Sequence, residues 1–217
     1  MENPSLPAHV IYMNYFEKQK KLHKQAEKIL KDLNLIEVLK KYGVPKIVGS
    51  YALELMSWPD IDIVVITEPN YKHYLNLVNY LFEKEDIYSL NLQDFRKSIY
   101  PDRPQGIYCG ISYIVKPNTF WKIDVWFFPD VKAFDVINEV KSKLTDINRA
   151  IILKIKNEMR EKIKHGKEIS GIDVYKAVLE NGVRDLEGFR QYLKKKSYKD
   201  QRLLDRPAQQ VRAKTID

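Results

Sequence analysis

Apolar residues along this chain recur with two different periods, and the changes of period mark its elements. Between Glu17 and Tyr42, the residues Leu22, Ala26, Ile29, Leu33 and Ile36 return at alternating steps of four and three. That spacing predicts a single helix with one apolar face, ended by Gly43 and Pro45. Lys46–Val48 follows as a short strand, and Tyr51–Met56 has room for about a turn and a half of helix before Pro59 stops it. Asp60–Ile66 is a buried strand in its composition. Glu68–Glu85 returns to helical spacing with Leu75, Val78, Leu81 and Phe82 on one side, and Ile87–Phe95 reads as another strand. Ser98–Gly106 carries Pro101, Pro104 and Gly106 and is predicted to be an exposed loop. Two β-rich arms, Ile107–Val115 and Thr119–Phe128, flank Lys116-Pro117-Asn118 and predict a hairpin with a three-residue loop.

From Val131 the pattern is helical throughout. Ile147, Ile151, Ile155, Met159 and Ile163 step by four and form a stripe. Ser170 and Asp173 resemble a capping box opening a helix at Gly171–Glu180. Asn181-Gly182 ends it, Asp185–Lys196 forms another helix, and a polar tail begins at Ser197. The fold class predicted is α/β (α+β), a mixed β-sheet flanked by helices with a C-terminal helical region. The boundaries read as a helical segment over 1–45, a core over 46–130 and a helical region with its tail over 131–217.

Composition changes this picture little. A hydrophobic content of 44% and a charged content of 30% describe an ordinary globular protein. No apolar run approaches the roughly 18–20 residues of a membrane span, and the first residues show no signal-peptide pattern. Cys109 is the sole cysteine, so no intrachain disulfide forms. A cytoplasmic location without a membrane partner is the resulting expectation. His9, His23, His73 and His165 are scattered and offer no zinc spacing. The net charge of +8 favours anionic partners such as nucleotides or nucleic acid, although solvated lysines on helix faces also account for it.

The carboxylates change it more. Asp60 and Asp62 stand two apart at the leading end of an apolar strand, so they share a face with Cα atoms roughly 6.5 Å apart. Two carboxylates so placed repel each other and lose hydration, and the site calls for positive charge. Asp124 adds a third within the FWKIDVWFF arm. Hard oxygen ligands of this kind suit Mg²⁺ or Mn²⁺. Two such ions roughly 3.5–4 Å apart clamp the attacking and leaving oxygens of a phosphoryl displacement.

Val48, then Gly49-Ser50, nine residues, Asp60-Ile61-Asp62, and a later Asp124 in KIDVWF together resemble the nucleotidyltransferase pattern of the DNA polymerase β superfamily. The resemblance covers roughly Lys46–Phe128, and the layout is similar to small stand-alone antibiotic-modifying nucleotidyltransferases. It implies a nucleotidyltransferase fold in which Asp60 and Asp62 bind the metals that hold a triphosphate. Asp124 would bind the second metal and help deprotonate the acceptor, and Gly49 and Ser50 would contact the triphosphate. The implied cofactor is a pair of Mg²⁺ ions, with Mn²⁺ as a substitute. The implied reaction moves an NMP, most simply AMP from ATP, to a hydroxyl on a small molecule or RNA and releases pyrophosphate. The helical segment after the core commonly supplies phosphate contacts in that superfamily. This makes Lys154 a nucleotide-binding candidate, with Lys156, Arg149 and Arg103 behind it.

Plainer readings stand beside these. Gly49-Ser50 also reads as a strand-to-helix turn with Ser50 as N-cap, and Asp60 as a solvated residue after Pro59. Lys122 shares the facing of Asp124 by period two and is the candidate for a structural ion pair. Lys154 also reads as a surface lysine, and Trp58, Trp121, Trp126, Tyr108 and Tyr113 as core rather than base-stacking residues. The rival function is a catalytically inactive nucleotide- or nucleic-acid-binding regulator on the same fold, using the two C-terminal helices and Lys194–Lys196. A regulator of that kind has no need of Asp124.

Overall fold

The computed structural model describes residues 8–96, 105–129, 133–162 and 170–197. It divides into two compact units, Met1–Lys143 and Leu144–Asp217. In the first unit the order is α1 (Ala8–Asp32), α2 (Leu35–Lys40), β1 (Val44–Val48), α3 (Gly49–Ala52), β2 (Asp60–Ile66), α4 (Tyr71–Phe82), β3 (Ile87–Asp94), β4 (Ile107–Lys116), β5 (Thr119–Phe128) and α5 (Ala133–Lys143). The strands form one mixed sheet in the order β1-β2-β5-β4-β3. Only β2 and β5 run parallel; the other three pairs are antiparallel. A mixed sheet flanked by helices is thus the fold, as the sequence predicts.

One face of the sheet is the hydrophobic core. Ile61, Ile63 and Val65 of β2, with Trp121, Ile123, Val125 and Phe127 of β5, pack with Ala26 and Ile29 of α1, Leu33 just after it, Leu35, Val38 and Leu39 of α2, and Leu77 and Leu81 of α4. Strand alternation then sends Asp60, Asp62, Lys122, Asp124 and Trp126 to the opposite face. These polar side chains of β2 and β5 therefore stand on a surface whose reverse is the hydrophobic core.

Several boundaries differ from the pattern reading. The predicted helix over Glu17–Tyr42 is two helices, because Asn34 adopts φ 44° and ψ 32° between α1 and α2. This left-handed step lets α2 bury Leu35, Val38 and Leu39 instead of continuing the phase through Ile36. Pro45 does not end an element but lies inside β1, an edge strand where its missing N–H costs no ladder bond. Helix α4 begins at Tyr71, with Asn70 Oδ1 accepting from Lys72 N at 2.8 Å. It buries Tyr74, Leu77 and Leu81, whereas Leu75 and Phe82 are 54% and 77% exposed. The hairpin closes over Pro117-Asn118 alone, with Lys116 paired to Thr119 and Asn118 at φ 60°.

The second unit contains α6 (Asp146–Lys162), α7 (Gly171–Asn181) and α8 (Leu186–Ser197). Ile151, Ile155 and Met159 of the predicted stripe are buried, Ile147 is exposed, and Ile163 lies outside the described residues. Ser170 Oγ caps α7 by accepting from Ile172 N at 3.2 Å. Asp173 pairs with Lys196 of α8 rather than completing a capping box. Gly182 ends α7 at φ 67°. No helix among the described residues is long and apolar enough to cross a membrane.

Candidate active site

The site begins with register. Asp62 of β2 lies directly beside Asp124 of β5, and Asp60 beside Lys122, because the two strands are parallel and in step. All four side chains consequently leave the same face. One ligand oxygen from each of Asp60, Asp62 and Asp124 lies within 4.8 Å of the others, a grouping that could hold a metal ion. Asp124 is buried at 8% exposure, while Asp60 and Asp62 are half-buried. Asp60 Oδ1 is shielded from solvent and accepts no hydrogen bond, though the residue keeps other contacts. Three carboxylates without sulfur or imidazole are a donor set for a hard divalent cation.

Gly49 closes the site from the β1 side. Val48 pairs with Asp62 at the end of β1, so the chain must turn immediately against that carboxylate. Gly49 does so at φ 61°, and a Cβ there would stand 2.1 Å from Asp62 Oδ2. The position therefore requires glycine for both its dihedral and its space. Ser50 is 9% exposed and does not cap α3; the N-cap is Val48, which makes no side-chain cap bond.

Asp124 is held from both sides. The Tyr108 hydroxyl donates to Oδ1 at 2.7 Å, and Lys122 Nζ donates to Oδ2 at 2.7 Å. The ion pair anticipated from the period-two facing of Lys122 is thus present within the carboxylate group. Burial opposes the charge on Lys122, but the hydrogen bond and charge of Asp124, with the charges of Asp60 and Asp62, outweigh it and raise its pKa. Burial and Asp124 likewise raise the pKa of Tyr108, keeping it a neutral donor. The same two causes push the Cys109 thiol up to about 12, although it lies on the apolar face.

Tyr108 as a hydrogen-bond donor was not legible as such in the sequence. The signal was Tyr108-Cys109-Gly110: period two puts Tyr108 and Gly110 on one face, and Gly110 pairs with Asp124. A Cβ at Gly110 would lie 2.5 Å from the Tyr108 hydroxyl oxygen, so the glycine is the gap through which the ring reaches Asp124. Behind it, Trp126 packs 4.9 Å from Tyr108 and 5.4 Å from Phe95, ring centre to ring centre. Trp121 is core at 2% exposure.

Among the helical candidates, Lys154 lies 4.0 Å from Glu158 and is partly buried. Lys156 is not a surface lysine: it is 1% exposed, with Nζ 3.5 Å from the Tyr175 hydroxyl. Both belong to the second unit. Arg103 lies outside the described residues.

No family model matches the sequence, and no curated protein matches it. Solved structures do. A mutant of the Cid1 poly(U) polymerase bound to MgATP aligns with a TM-score of 0.60 at 17% identity, over 79% of this chain and 54% of that one. The same polymerase bound to MgGTP gives 0.59 at 18% identity, over 79% and 54%. A cytoplasmic RNA terminal U-transferase gives 0.55 at 18% identity, over 79% and 53%. The chain spans about half the length of these structures. At such identities the likeness is one of fold, and the fold is that of the nucleotidyltransferases.

Proposed function

We propose that the protein is a nucleotidyltransferase of the DNA polymerase β superfamily, moving an NMP from a nucleoside triphosphate to a hydroxyl acceptor. The observation that carries the reading is the in-step placement of Asp62 and Asp124 on adjacent parallel strands, with Asp60 on the same face. Mg²⁺ or Mn²⁺ held by Asp60, Asp62 and Asp124 would neutralise the triphosphate and the charge developing on the entering and leaving oxygens. The acceptor oxygen bonds to the α-phosphorus, the bond from that phosphorus to the bridging oxygen breaks, and pyrophosphate departs with the electron pair. Asp124 takes the acceptor proton. Tyr108 keeps Asp124 in position for that transfer. Gly49 and Ser50 contact the triphosphate beside Asp62. Lys154 is assigned to the nucleotide on the resemblance alone.

ATP is the simplest donor. The RNA-directed activities named for the Cid1 poly(U) polymerase and the terminal U-transferase add UTP to the donors to be tried, and favour an RNA hydroxyl over an antibiotic-like acceptor. The test is pyrophosphate release from each labelled triphosphate with Mg²⁺ and pooled RNA and small-molecule acceptors. Release is expected from the wild type and should fall at least about 100-fold in folded Asp62→Asn and Asp124→Asn. Equal release from those variants removes the assignment. Salt-sensitive RNA binding without any turnover favours the regulatory reading instead.

A further inference from the structure

The two oxygens of Asp124 are both taken, and the two donors differ in how firmly they are held. Tyr108 reaches Oδ1 through the gap at Gly110 and is backed by the Trp126 ring. Its hydroxyl is neutral, and its side chain is a planar ring beside that of Trp126, with no flexible stem. Lys122 reaches Oδ2 on a flexible stem and is 52% exposed, against 12% for the Asp124 side chain. Strand register places it beside Asp60 as well, on the face that carries all three carboxylates. It supplies one positive charge to a group carrying three negative ones.

We propose that Lys122 is a tethered counter-cation: its ammonium occupies the Oδ2 side of Asp124 while the site is without metal, and yields that oxygen when a divalent cation enters. This rests on the metal-binding reading of the three aspartates. A carboxylate buried as deeply as Asp124 is costly without a charge partner, and a covalently attached one is always present. Its cost is competition. The ammonium must be displaced before Oδ2 can ligate, so the site binds cations more weakly than the bare carboxylates would. Once displaced, Lys122 remains rooted next to Asp60, at the edge of the site rather than in it.

The experiment is a Mn²⁺ titration of the full chain without nucleotide, followed by electron paramagnetic resonance. Wild type, Lys122→Met, Lys122→Arg and Asp124→Asn are compared. Lys122→Met should bind Mn²⁺ about two- to fivefold more tightly than wild type, the range for relieving one partly exposed ion pair. Lys122→Arg, which keeps the competing charge, should not gain affinity. In the wild type, saturating Mg²⁺ should move the Lys122 ammonium ¹⁵N resonance to the position of solvated lysines, a readout independent of whether any variant folds. Unchanged or weaker Mn²⁺ binding by folded Lys122→Met, or an unmoved ammonium resonance at saturation, overturns the proposal while leaving the metal site standing. A wild type that binds no Mn²⁺, or an Asp124→Asn that binds it equally, overturns the metal reading and this inference with it.

Discussion

Gly49 and Gly182 have nearly the same positive φ, 61° and 67°, in different surroundings. At Gly182 an added Cβ meets nothing within 4 Å; at Gly49 it meets the Asp62 carboxylate. The pair separates what the dihedral costs from what the contact costs. Gly182→Ala should destabilise by about 1 kcal/mol, the usual strain of a left-handed non-glycine residue. Gly49→Ala should cost at least about 2 kcal/mol, because Asp62 must also move. Urea unfolding of both variants measures this, and equal losses would show that Gly49 is there for its turn alone. A displaced Asp62 should also weaken Mn²⁺ binding in Gly49→Ala, a change Gly182→Ala has no reason to produce. The glycine-serine pair was visible in the sequence, but its purpose against Asp62 was not: it depends on Val48 pairing with Asp62, a contact between two strands that only their register reveals.

Elements were legible where one period ran uninterrupted and illegible where tertiary packing overrode it. Asp60–Ile66 and the Thr119–Phe128 arm match the observed strands residue for residue, since β-branched and aromatic runs bounded by turn residues leave no competing period. The shared facing of Lys122 and Asp124 followed from strand period two, and so did their ion pair. The face of α4 differs from the predicted one, since Tyr74 and Leu77 are buried in the core while Leu75 and Phe82 are exposed. The buried Lys156 had no signal at all, as a lysine among apolar residues reads as a helix's outer face. The break between α1 and α2 hung on Asn34, a residue that enters the left-handed region more readily than most. That break is testable. Asn34→Gly should leave stability within a few tenths of a kcal/mol, and Asn34→Ala should lower it by about 1 kcal/mol. If thermal and urea unfolding show Asn34→Ala to be neutral or stabilising, the left-handed step is not what separates the helices.

On the scale of the whole molecule, a chain of positive net charge carries a site built from negative charge. The chain carries +8, yet its carboxylate group has Lys122 as the only cation bonded to Asp124 among the described residues. On the metal-binding proposal, such a cluster costs folding stability in the absence of metal. The three carboxylates are not equivalent in this respect. Asp62 stands among like charges and adds its own to those that keep Lys122 protonated, whereas Asp124 bonds both Tyr108 and Lys122 directly. Removing the charge at Asp62 relieves repulsion worth on the order of 1 kcal/mol for like charges at this spacing, and should cost the metal-free protein less stability than removing it at Asp124. Removing it at Asp124 weakens the partnerships of both Lys122 and Tyr108 and should destabilise by about 1–3 kcal/mol. Addition of Mn²⁺ should raise the melting temperature of the wild type and of neither variant, because only a folded, complete site gains binding free energy. Differential scanning calorimetry with and without Mn²⁺ reads all of these at once. An Asp62→Asn variant less stable than Asp124→Asn without metal would mean that Asp62 holds the fold together, and that the carboxylates were placed for structure before chemistry.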